Sequence, residues 1–525
     1  MNKAISQMGS TPGSNRTKAS RPSPKELGTA TALGALIALL LFALRADRMP
    51  GDSSGLVNKM ATEDGPLVFW YHLGYAWLAR LVQVVFAGPL GLNVRETLEL
   101  LSALAAGASV PLCYATLRRL GSALPAAMIA TIAMVSLISF WNHGTIIEVH
   151  TVQLLAGWAG LCLMARAALL APARLFATSL LAGLIVSTAH QTGPLLFPGL
   201  VLASIWTAGP KLSRPEQLKR FSIACAAFLC ALGISRYLTS VLSPFDKLKD
   251  LSDFTSSTAM LTKGVSWDFF IRELLIPLNA IALLTIFMLR KRMRTEPIVW
   301  LGLALALVPW VFFLGFGERT EGGYFLGSSI GCVLLVSALW SAGTRCRAPI
   351  AASIFFGVLV SPYQLFLGAH GNQNSRARDR IETVSKLLPN GGTLITLPYS
   401  EHTLNGQFAD IDEVILCGPF RQYIEKGYVA DGAYLFLNER LEELDEADRT
   451  LLVDWTWSYR YNHPEPKWQQ SPEVLAAERS AGEPLYLEES WQPYLDEVRK
   501  GLERDWIVTE VRGPWSLFLR IDRRL

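Results

Sequence analysis

Charged residues are scarce in this chain of 525 residues, and the shortage is uneven. Only 18% of the residues are charged and 51% are hydrophobic, whereas a soluble protein is about one quarter charged. The shortage falls on residues 29–368, while 370–525 have the composition of a soluble domain. The net charge of +4 is small and spread along the chain, so nothing indicates a nucleic-acid partner. The composition excludes a protein that is soluble throughout.

Paired cysteines and nucleotide motifs are also missing. None of the seven cysteines forms a CxxC pair, and only Cys417 lies in the polar C-terminal part. This pattern excludes a disulfide framework and a zinc site of the usual spacing. Neither GxGxxG nor a P-loop occurs, so a nucleotide cofactor is not indicated.

Long apolar runs are the main feature of the sequence. Residues 1–28 form a basic tail rich in Ser, Thr, Pro and Gly, which predicts disorder. The run "LGTATALGALIALLLFAL" (27–44) is long enough to cross a bilayer, and Arg45 to Arg48 contain no small-x-small cleavage site. An uncleaved helix is therefore expected. Ten more apolar segments follow, at 96–117, 123–141, 146–165, 175–190, 194–207, 221–240, 274–290, 297–315, 324–343 and 348–367.

Positive charge alternates between the loops that join these segments. The basic loops contain Arg118 and Arg119; Arg166 and Arg174; Lys211, Arg214, Lys219 and Arg220; Arg290, Lys291, Arg292 and Arg294; and Arg345 and Arg347. The opposite loops at 142–148 and 190–194 contain no Lys or Arg. By the positive-inside rule the N-terminus is cytoplasmic, and 46–95 is the first external loop.

This alternation predicts a polytopic α-helical protein with about eleven transmembrane helices, in a bacterial inner membrane. The aromatic-rich segment 66–86 is expected to lie in the membrane interface, because another span there would break the alternation. Residues 370–525 then lie outside the cytoplasm. Within them, β-like runs at 392–398, 412–418, 449–455 and 515–521 alternate with helical patterns at 375–388 and 494–505, which predicts an α/β domain.

Ionisable residues collect at the predicted external ends of the helices. Ionisable groups at the membrane edge are costly, so they are functional candidates. The acidic and basic candidates are Asp52, Glu63 and Asp64 in the first external loop, Glu148 in the second, and Glu318, Arg319 and Glu321 in a late one. His143, His150 and His190 are predicted at the same face.

Four stretches of the sequence that contain these candidates, or lie beside them, resemble motifs of the GT-C glycosyltransferases. They are "GDSSGL", "FWNHGTIIEVHTVQLL", "GLIVSTAHQTGPLLFPGL" and "ERTEGGYFL". They are most similar to the branch of the transmembrane protein O-mannosyltransferases and their bacterial relatives. "LLPNGGTLIT" (387–396) is similar to the start of that family's soluble domain. The chain departs from the family in lacking an acid after Ser53, in having Glu63-Asp64-Gly65-Pro66 before the interfacial segment, and in inserting Thr320 to Gly323 after Arg319.

The resemblance implies transfer of a sugar from a polyprenyl-phosphate donor to a protein hydroxyl or to a glycan or lipid. It implies that Asp52 is the base, that Glu148 positions the acceptor or binds a metal, and that Arg319 holds the donor phosphate. Each residue also has a structural alternative: a turn for Asp52, a helix cap for Glu148, and an ion pair with Glu318 or Glu321 for Arg319. Glu63, Asp64 and the three histidines are secondary candidates, with solvated or hydrogen-bonded structural roles as alternatives.

Two other functions stay open: a transporter or flippase of a lipid-linked sugar, and a catalytically degraded membrane scaffold. Transporters place ionisable groups near the bilayer midplane and show internal repeats. Here the candidates lie at helix ends and no repeat is visible, which favours the transferase. The sequence leaves the participation of a divalent metal open.

Overall fold

The structure is a computed structural model that describes residues 22–45, 56–57, 60, 72–205, 212–242, 270–276, 278, 297–316, 323–370, 382–396, 411–415, 431–445, 450–455, 488–512 and 517–524. The chain divides into two compact units. The first comprises Met1–Arg45, Gly65–Val85 and Leu98–Leu365, and the second comprises Ala46–Asp64, Phe86–Thr97 and Phe366–Leu525. The last boundary is close to residue 368, where the composition of the sequence changes.

The first helix, α1 (Pro24–Ala43), begins at a capping box. Ser23 Oγ accepts the backbone N–H of Glu26 at 3.2 Å, and Glu26 Oε2 accepts the backbone N–H of Ser23 at 2.8 Å. Pro24 at the first helical position strengthens this start. The prediction that residues 1–28 are disordered is therefore wrong for 24–28, because the cap extends the helix ahead of the apolar run.

The membrane part of the chain is helical wherever the structure describes it at length. Its further helices are α2 (Leu73–Leu90, with a π-helical turn at Gln83–Ala87), α3 (Val94–Arg119), α4 (Leu124–Val135), α5 (Ile138–Gly144), α6 (His150–Met164), α7 (Pro172–Ala189), α8 (Phe197–Ala203), α9 (Arg214–Leu242), α10 (Pro297–Phe316), α11 (Gly323–Leu326), α12 (Ser329–Ala342) and α13 (Thr344–His370).

The described residues contain six helices long and apolar enough to cross a membrane, or seven if α4 and α5 count as one bent span. Four other predicted segments contain shorter apolar helical stretches among the described residues, at Gly193–Ala203, Ile298–Phe313, Ser329–Ser341 and Arg347–Val360, and most of 274–290 lies outside the described residues. The membrane-spanning architecture is confirmed, and the number eleven stays a prediction. The segment expected in the interface is helical from Leu73 and is itself long enough to cross, so its interfacial position also stays a prediction.

The predicted segment 123–141 is broken into α4 and α5, which meet at an angle of 57°. Ser136 Oγ donates to the carbonyl of Ala133 at 2.8 Å, and Trp141 Nε1 donates to the carbonyl of Val135 at 2.6 Å. These side chains bind carbonyls of the last turn of α4, next to the break. Because of the break, the short helix α5 runs in a different direction from α4. Helix α5 carries His143.

Small residues allow the membrane helices to pack closely. A Cβ at Gly34 of α1 would collide with the backbone of Gly107 in α3, and one at Gly331 of α12 would collide with the backbone of Gly302 in α10. Close backbone approach at small residues is a general feature of helix pairs in membranes. Larger side chains at these positions would push the helices apart.

Two arginines of the basic loops bind backbone carbonyls at helix ends. Arg119 Nη1 donates to the carbonyl of Cys162 at 3.2 Å, in the last turn of α6. Arg220 donates to the carbonyl of Leu170 at 2.9 Å and forms an ion pair with Glu216 at 2.8 Å. These contacts satisfy carbonyls that have no partner inside their own helices. The positive charges that set the predicted orientation thus also stabilise the membrane unit.

The orientation can be tested with a reporter fused after Leu525. We expect activity only outside the cytoplasm, because the alternating basic loops place the C-terminal domain there. A fusion truncated after Arg119, in the first basic loop, serves as the matched control and should be active only in the cytoplasm. Cytoplasmic activity of the Leu525 fusion would contradict the external location of every candidate site residue.

The C-terminal unit contains a five-stranded mixed sheet in the order β2-β1-β3-β5-β4. Its strands are β1 (Gly392–Thr396), β2 (Ile411–Ile415), β3 (Leu451–Asp454), β4 (Trp506–Arg512) and β5 (Leu517–Arg523). β1 is parallel to β2 and β3, and β5 is antiparallel to β3 and β4. The predicted α/β fold is confirmed, since four of these strands coincide with the four predicted runs.

Helices cover both faces of this sheet. α14 (Asp431–Asp445) and α15 (Glu488–Asp505) pack on one face, where Leu437 and Val498 are buried with Val453. The helical residues 382–387 lie on the other face, where Val384 is buried with Leu394. Strand β4 and helix α14 were not predicted. β4 follows α15 directly, without a Gly or Pro to mark the change from helix to strand.

Candidate functional site

The predicted site residues divide into those that the structure describes and those that it does not. Glu148, His143, His150 and His190 are described. The other predicted residues, namely Asp52, Glu63, Asp64, Glu318, Arg319 and Glu321, lie outside the described residues, and their roles stay predictions. The site can therefore be built from the two predicted external connections that contain Glu148 and His190.

Glu148 lies in the short connection between α5 and α6. Ser102 of α3 holds its backbone, since the hydroxyl accepts the N–H of Glu148 at 3.3 Å and faces its carbonyl at 3.4 Å. The Glu148 carboxylate is 17% exposed, and its Oε2 lies 3.8 Å from Nε2 of His150. The N-cap residue of α6 is Val149, so Glu148 is not itself the N-cap. The connection thus presents a partly accessible carboxylate beside a histidine.

Four buried histidines form a continuous cluster, which we call the histidine cluster: His72, His143, His150 and His190. The ring centroids of His143 and His150 are 5.1 Å apart, those of His150 and His190 are 5.3 Å apart, and those of His190 and His72 are 4.5 Å apart. Each residue lies at or near a helix terminus, and each is no more than 5% exposed. The structure brings the three predicted histidines together and adds His72.

His72 is the member that the sequence reading missed. In the sequence it is a single histidine that interrupts an aromatic-rich apolar segment, and it lies far from the other three. The signal that could have found it is its position, directly before α2 and on the same predicted external face. No ligand spacing links it to His190, because the contact depends on the packing of α2 against α7.

A hydrogen-bond network fixes the ring of His190. Nδ1 of His190 accepts the backbone N–H of Thr192 at 3.1 Å and lies 2.6 Å from the Thr192 hydroxyl. That hydroxyl accepts a hydrogen bond from Nε2 of Gln153 at 2.9 Å. All three residues are buried. Gln153 of α6 thereby helps to fix the ring orientation of His190, which follows α7, through the Thr192 hydroxyl.

Burial keeps the histidines next to the spans uncharged. It lowers the pKa of His72, which precedes α2, to about 3, and the neighbouring His150 lowers that pKa further. Burial likewise lowers the pKa of His190, just after α7, well below its usual value, with His72 and His150 adding to the effect. Transfer of a charged imidazole into an apolar surrounding is unfavourable. These two rings are neutral at neutral pH.

Gly323 lies against the histidine cluster. It is the first residue of α11 and directly follows the residues "ERTEG". A Cβ at this position would lie 2.6 Å from Nε2 of His150 and 2.9 Å from Cε1 of His143. Both distances are shorter than van der Waals contact, so only glycine fits against the two rings. The first residue of α11 thus packs directly on the histidine cluster.

An ion pair with a buried carboxylate lies at the start of the first predicted external loop. Arg45 follows α1, and its Nε is 3.1 Å from Oε2 of Glu99 in α3. The carboxylate is 3% exposed and the guanidinium is 35% exposed. Arg45 also donates to the carbonyl of Phe42 at 3.2 Å and lies over its ring. This pair fixes the point at which the chain leaves α1 and enters the loop that contains Asp52.

Metal ligation was left open by the sequence. Over the ranges that the structure describes, no group of three or more His, Cys, Asp or Glu residues could hold a metal ion. The four histidines instead pack ring against ring. What the arrangement can do chemically is donate and accept hydrogen bonds through imidazole nitrogens, next to the carboxylate of Glu148.

The fit of Gly323 leads to a prediction for stability. Gly323→Ala should lower the free energy of unfolding by about 1–3 kcal/mol, because the methyl group forces His143 and His150 out of their positions. Gly233→Ala in α9 is the matched control, since a Cβ there meets nothing within 4 Å. Thermal unfolding of both variants in detergent measures the difference. Equal unfolding temperatures would show that Gly323 does not pack on the histidines.

No protein-family model and no curated protein matches this sequence. Solved structures are similar to it. ArnT from Cupriavidus metallidurans in the apo state matches with a TM-score of 0.54 and 12% identity, covering 94% of this chain and 98% of that chain. ArnT from the same organism bound to undecaprenyl phosphate matches with a TM-score of 0.51 and 12% identity, covering 93% of this chain and 97% of that chain.

These similarities extend over nearly the whole chain. They support the GT-C fold that the sequence motifs predict, but they do not support the O-mannosyltransferase branch in particular. At this identity the similarity concerns the fold. The chain is an integral membrane protein with an ArnT-like GT-C fold.

Proposed function

We propose that the protein is a membrane glycosyltransferase, which moves a sugar from a polyprenyl-phosphate donor to an acceptor hydroxyl outside the cytoplasm. The acceptor is a protein, a glycan or a lipid. The observation that carries the proposal is the histidine cluster beside Glu148. The cluster lies where the ends of several membrane helices come together in a GT-C fold. One ArnT structure is bound to undecaprenyl phosphate, which supports a lipid-linked donor.

The reaction forms a bond between the acceptor oxygen and the anomeric carbon, and it breaks the bond between that carbon and the phosphate oxygen. A carboxylate must take the proton of the acceptor hydroxyl, and positive charge must stabilise the departing lipid phosphate. We assign the first role to Asp52 and the second to Arg319. Glu148 is assigned to orient the acceptor hydroxyl, because its backbone is held by Ser102 while its carboxylate stays partly accessible.

The neutral rings of His72 and His190 suit the recognition of a sugar. Sugar hydroxyls are uncharged groups that both donate and accept hydrogen bonds, and a neutral imidazole offers one donor and one acceptor. A buried charge without a partner would cost far more than a buried imidazole that is hydrogen-bonded. His72 and His190 therefore add polar groups to the site without adding charge to the membrane unit.

The distribution of these groups favours transfer over transport. Transporters bind their substrates near the bilayer midplane, at discontinuous helices. Here His72 directly precedes α2, His150 is the first residue of α6 and His190 directly follows α7. Such a position matches a donor whose head group is at the membrane surface. We place that surface on the periplasmic side of a bacterial inner membrane.

The proposal is tested by mass analysis of lipid-linked sugars, glycans and glycoproteins from cells with and without the protein. We expect one sugar-bearing product to be absent from cells that lack it, with its polyprenyl-phosphate donor accumulating. Restoring the wild-type chain should restore the product. Identical product and donor spectra with and without the protein would contradict the proposal and favour a non-catalytic scaffold.

A further inference from the structure

The first turn of α2 contains a buried tyrosine, Tyr75, beside the histidine cluster. The backbone N–H of Ala76 donates to the carbonyl of His72 at 3.1 Å, so His72 begins the turn that contains Tyr75. A Cβ at Gly74 would lie 3.1 Å from backbone atoms of Thr188 in α7, so this turn packs closely against α7. Tyr75 is only 1% exposed. It is therefore held inside the membrane unit, next to a member of the histidine cluster.

The hydroxyl of Tyr75 is buried and has no hydrogen-bond partner among the residues that the structure describes. A buried tyrosine hydroxyl usually finds a partner, because burial removes its hydrogen bonds to water. An orphaned hydroxyl in this position indicates that a group absent from the bare chain binds to it. The phenol keeps its proton at neutral pH, so it offers a hydrogen-bond donor rather than a base.

The electrostatic surroundings of this hydroxyl narrow the class of ligand. The carboxylate of Glu148 acts electrostatically on Tyr75, and that carboxylate is 17% exposed. A phosphate oxygen would be repelled there, because like charges repel strongly where water is scarce. A hydroxyl group is uncharged, and its oxygen accepts a hydrogen bond from a phenol. The position therefore matches a hydroxyl of the acceptor or of the transferred sugar better than it matches the lipid phosphate.

We propose that Tyr75 is a substrate-binding residue, whose hydroxyl donates a hydrogen bond to a hydroxyl oxygen of the acceptor or of the transferred sugar. The identity of the ligand rests on the proposed glycosyltransferase function, since that function supplies both candidates. The orphaned hydroxyl does not, because it is a property of the chain alone. Binding of the substrate gives the buried donor the partner that the chain does not provide.

The stability of Tyr75→Phe tests whether the hydroxyl has a partner within the chain. The substitution keeps the ring and removes only the hydroxyl. The full-length variant, in detergent without substrate, should unfold at the wild-type temperature or above it, because no internal hydrogen bond is lost. Tyr237→Phe is the matched control, since it removes the hydroxyl of a side chain in α9 that is 67% exposed. A lower unfolding temperature for Tyr75→Phe than for Tyr237→Phe would overturn the inference.

Transfer kinetics test whether the substrate uses the hydroxyl. A polyprenyl-phosphate-sugar fraction and an envelope extract are varied separately, with purified membranes as the source of the protein. Tyr75→Phe should lower transfer at limiting substrate by roughly 3–10-fold, the effect of losing one hydrogen bond to an uncharged group. A higher half-saturating amount of extract assigns the contact to the acceptor, and a higher half-saturating amount of the donor fraction assigns it to the sugar. Unchanged half-saturating amounts of both would overturn the inference, whatever the maximal rate.

Binding separates a failure of this inference from a failure of the proposed function. If the wild type transfers no sugar, the proposed function fails, and the same two fractions are tested as ligands by thermal unfolding. The fraction that holds the ligand should raise the unfolding temperature of the wild type more than that of Tyr75→Phe, and Tyr237→Phe should follow the wild type. Equal shifts in the wild type and Tyr75→Phe, or no shift in either, would overturn the inference independently of catalysis.

Discussion

Replacing Glu148 with Gln is expected to lower sugar transfer by roughly 10²-fold, because a misplaced acceptor hydroxyl loses about that factor in rate. The amide is almost the same size as the carboxylate. Ser102 contacts only the backbone of Glu148, so the substitution leaves those contacts in place. The protein should fold and insert normally. Transfer from a lipid-linked donor in purified membranes, compared at equal protein level, measures the effect.

Glu216→Gln is the matched control for this variant. Glu216 is also a partly buried carboxylate, and it pairs with Arg220. Arg220 binds the carbonyl of Leu170 just before α7, whereas His190 follows the last residue of that helix. The 18 residues of α7 separate the two ends by about 27 Å. Transfer in Glu216→Gln should therefore equal that of the wild type, and an equal result for Glu148→Gln would remove Glu148 from the site.

Asp52→Asn should have the larger effect, a fall in transfer of roughly 10²–10⁴-fold, because the amide cannot accept the proton of the acceptor hydroxyl. Asn is a good turn former, so the local backbone conformation should tolerate it. Protein level and membrane insertion are expected to change little. The same transfer assay, with immunoblotting of the membranes, measures both quantities.

Asp64→Asn serves as the control within the same external loop. It removes one carboxylate by the same chemical change, and it should leave transfer near the wild-type level. If Asp52 only forms a turn, both variants will keep wild-type activity, and the base must be sought elsewhere. A joint loss of activity in both variants would indicate that the charge of the loop matters rather than one catalytic carboxylate.

Hydropathy and charge predicted much of the fold because the bilayer imposes strong constraints on the sequence. A span must be long and apolar, and its loops show the charge bias, so helix α3 coincides with the predicted segment 96–117 to within a few residues. The break between α4 and α5 was not predicted. It contains neither proline nor glycine, and it is accompanied by a contact between the Trp141 side chain and a carbonyl of the preceding helix.

The candidate site was predictable only in part. His143, His150 and His190 could be placed at one face from topology, since each lies near the end of an apolar segment. The contact of His72 with His190, the bond from Gln153 to Thr192 and the ion pair of Arg45 with Glu99 could not be predicted. Each joins residues in or beside different helices, and the rotation of one helix against another is set by packing rather than by local sequence.

The most direct test of the proposed function measures the fate of the lipid-linked sugar itself. Purified protein in sealed vesicles is supplied with a labelled polyprenyl-phosphate-sugar fraction and an envelope extract as the acceptor source, and the lipids are analysed by mass spectrometry. We predict that the wild type converts the donor to free polyprenyl phosphate and moves the label to the acceptor fraction, whereas Asp52→Asn does not. A donor that stays intact, or that only moves from one leaflet to the other, would contradict glycosyl transfer.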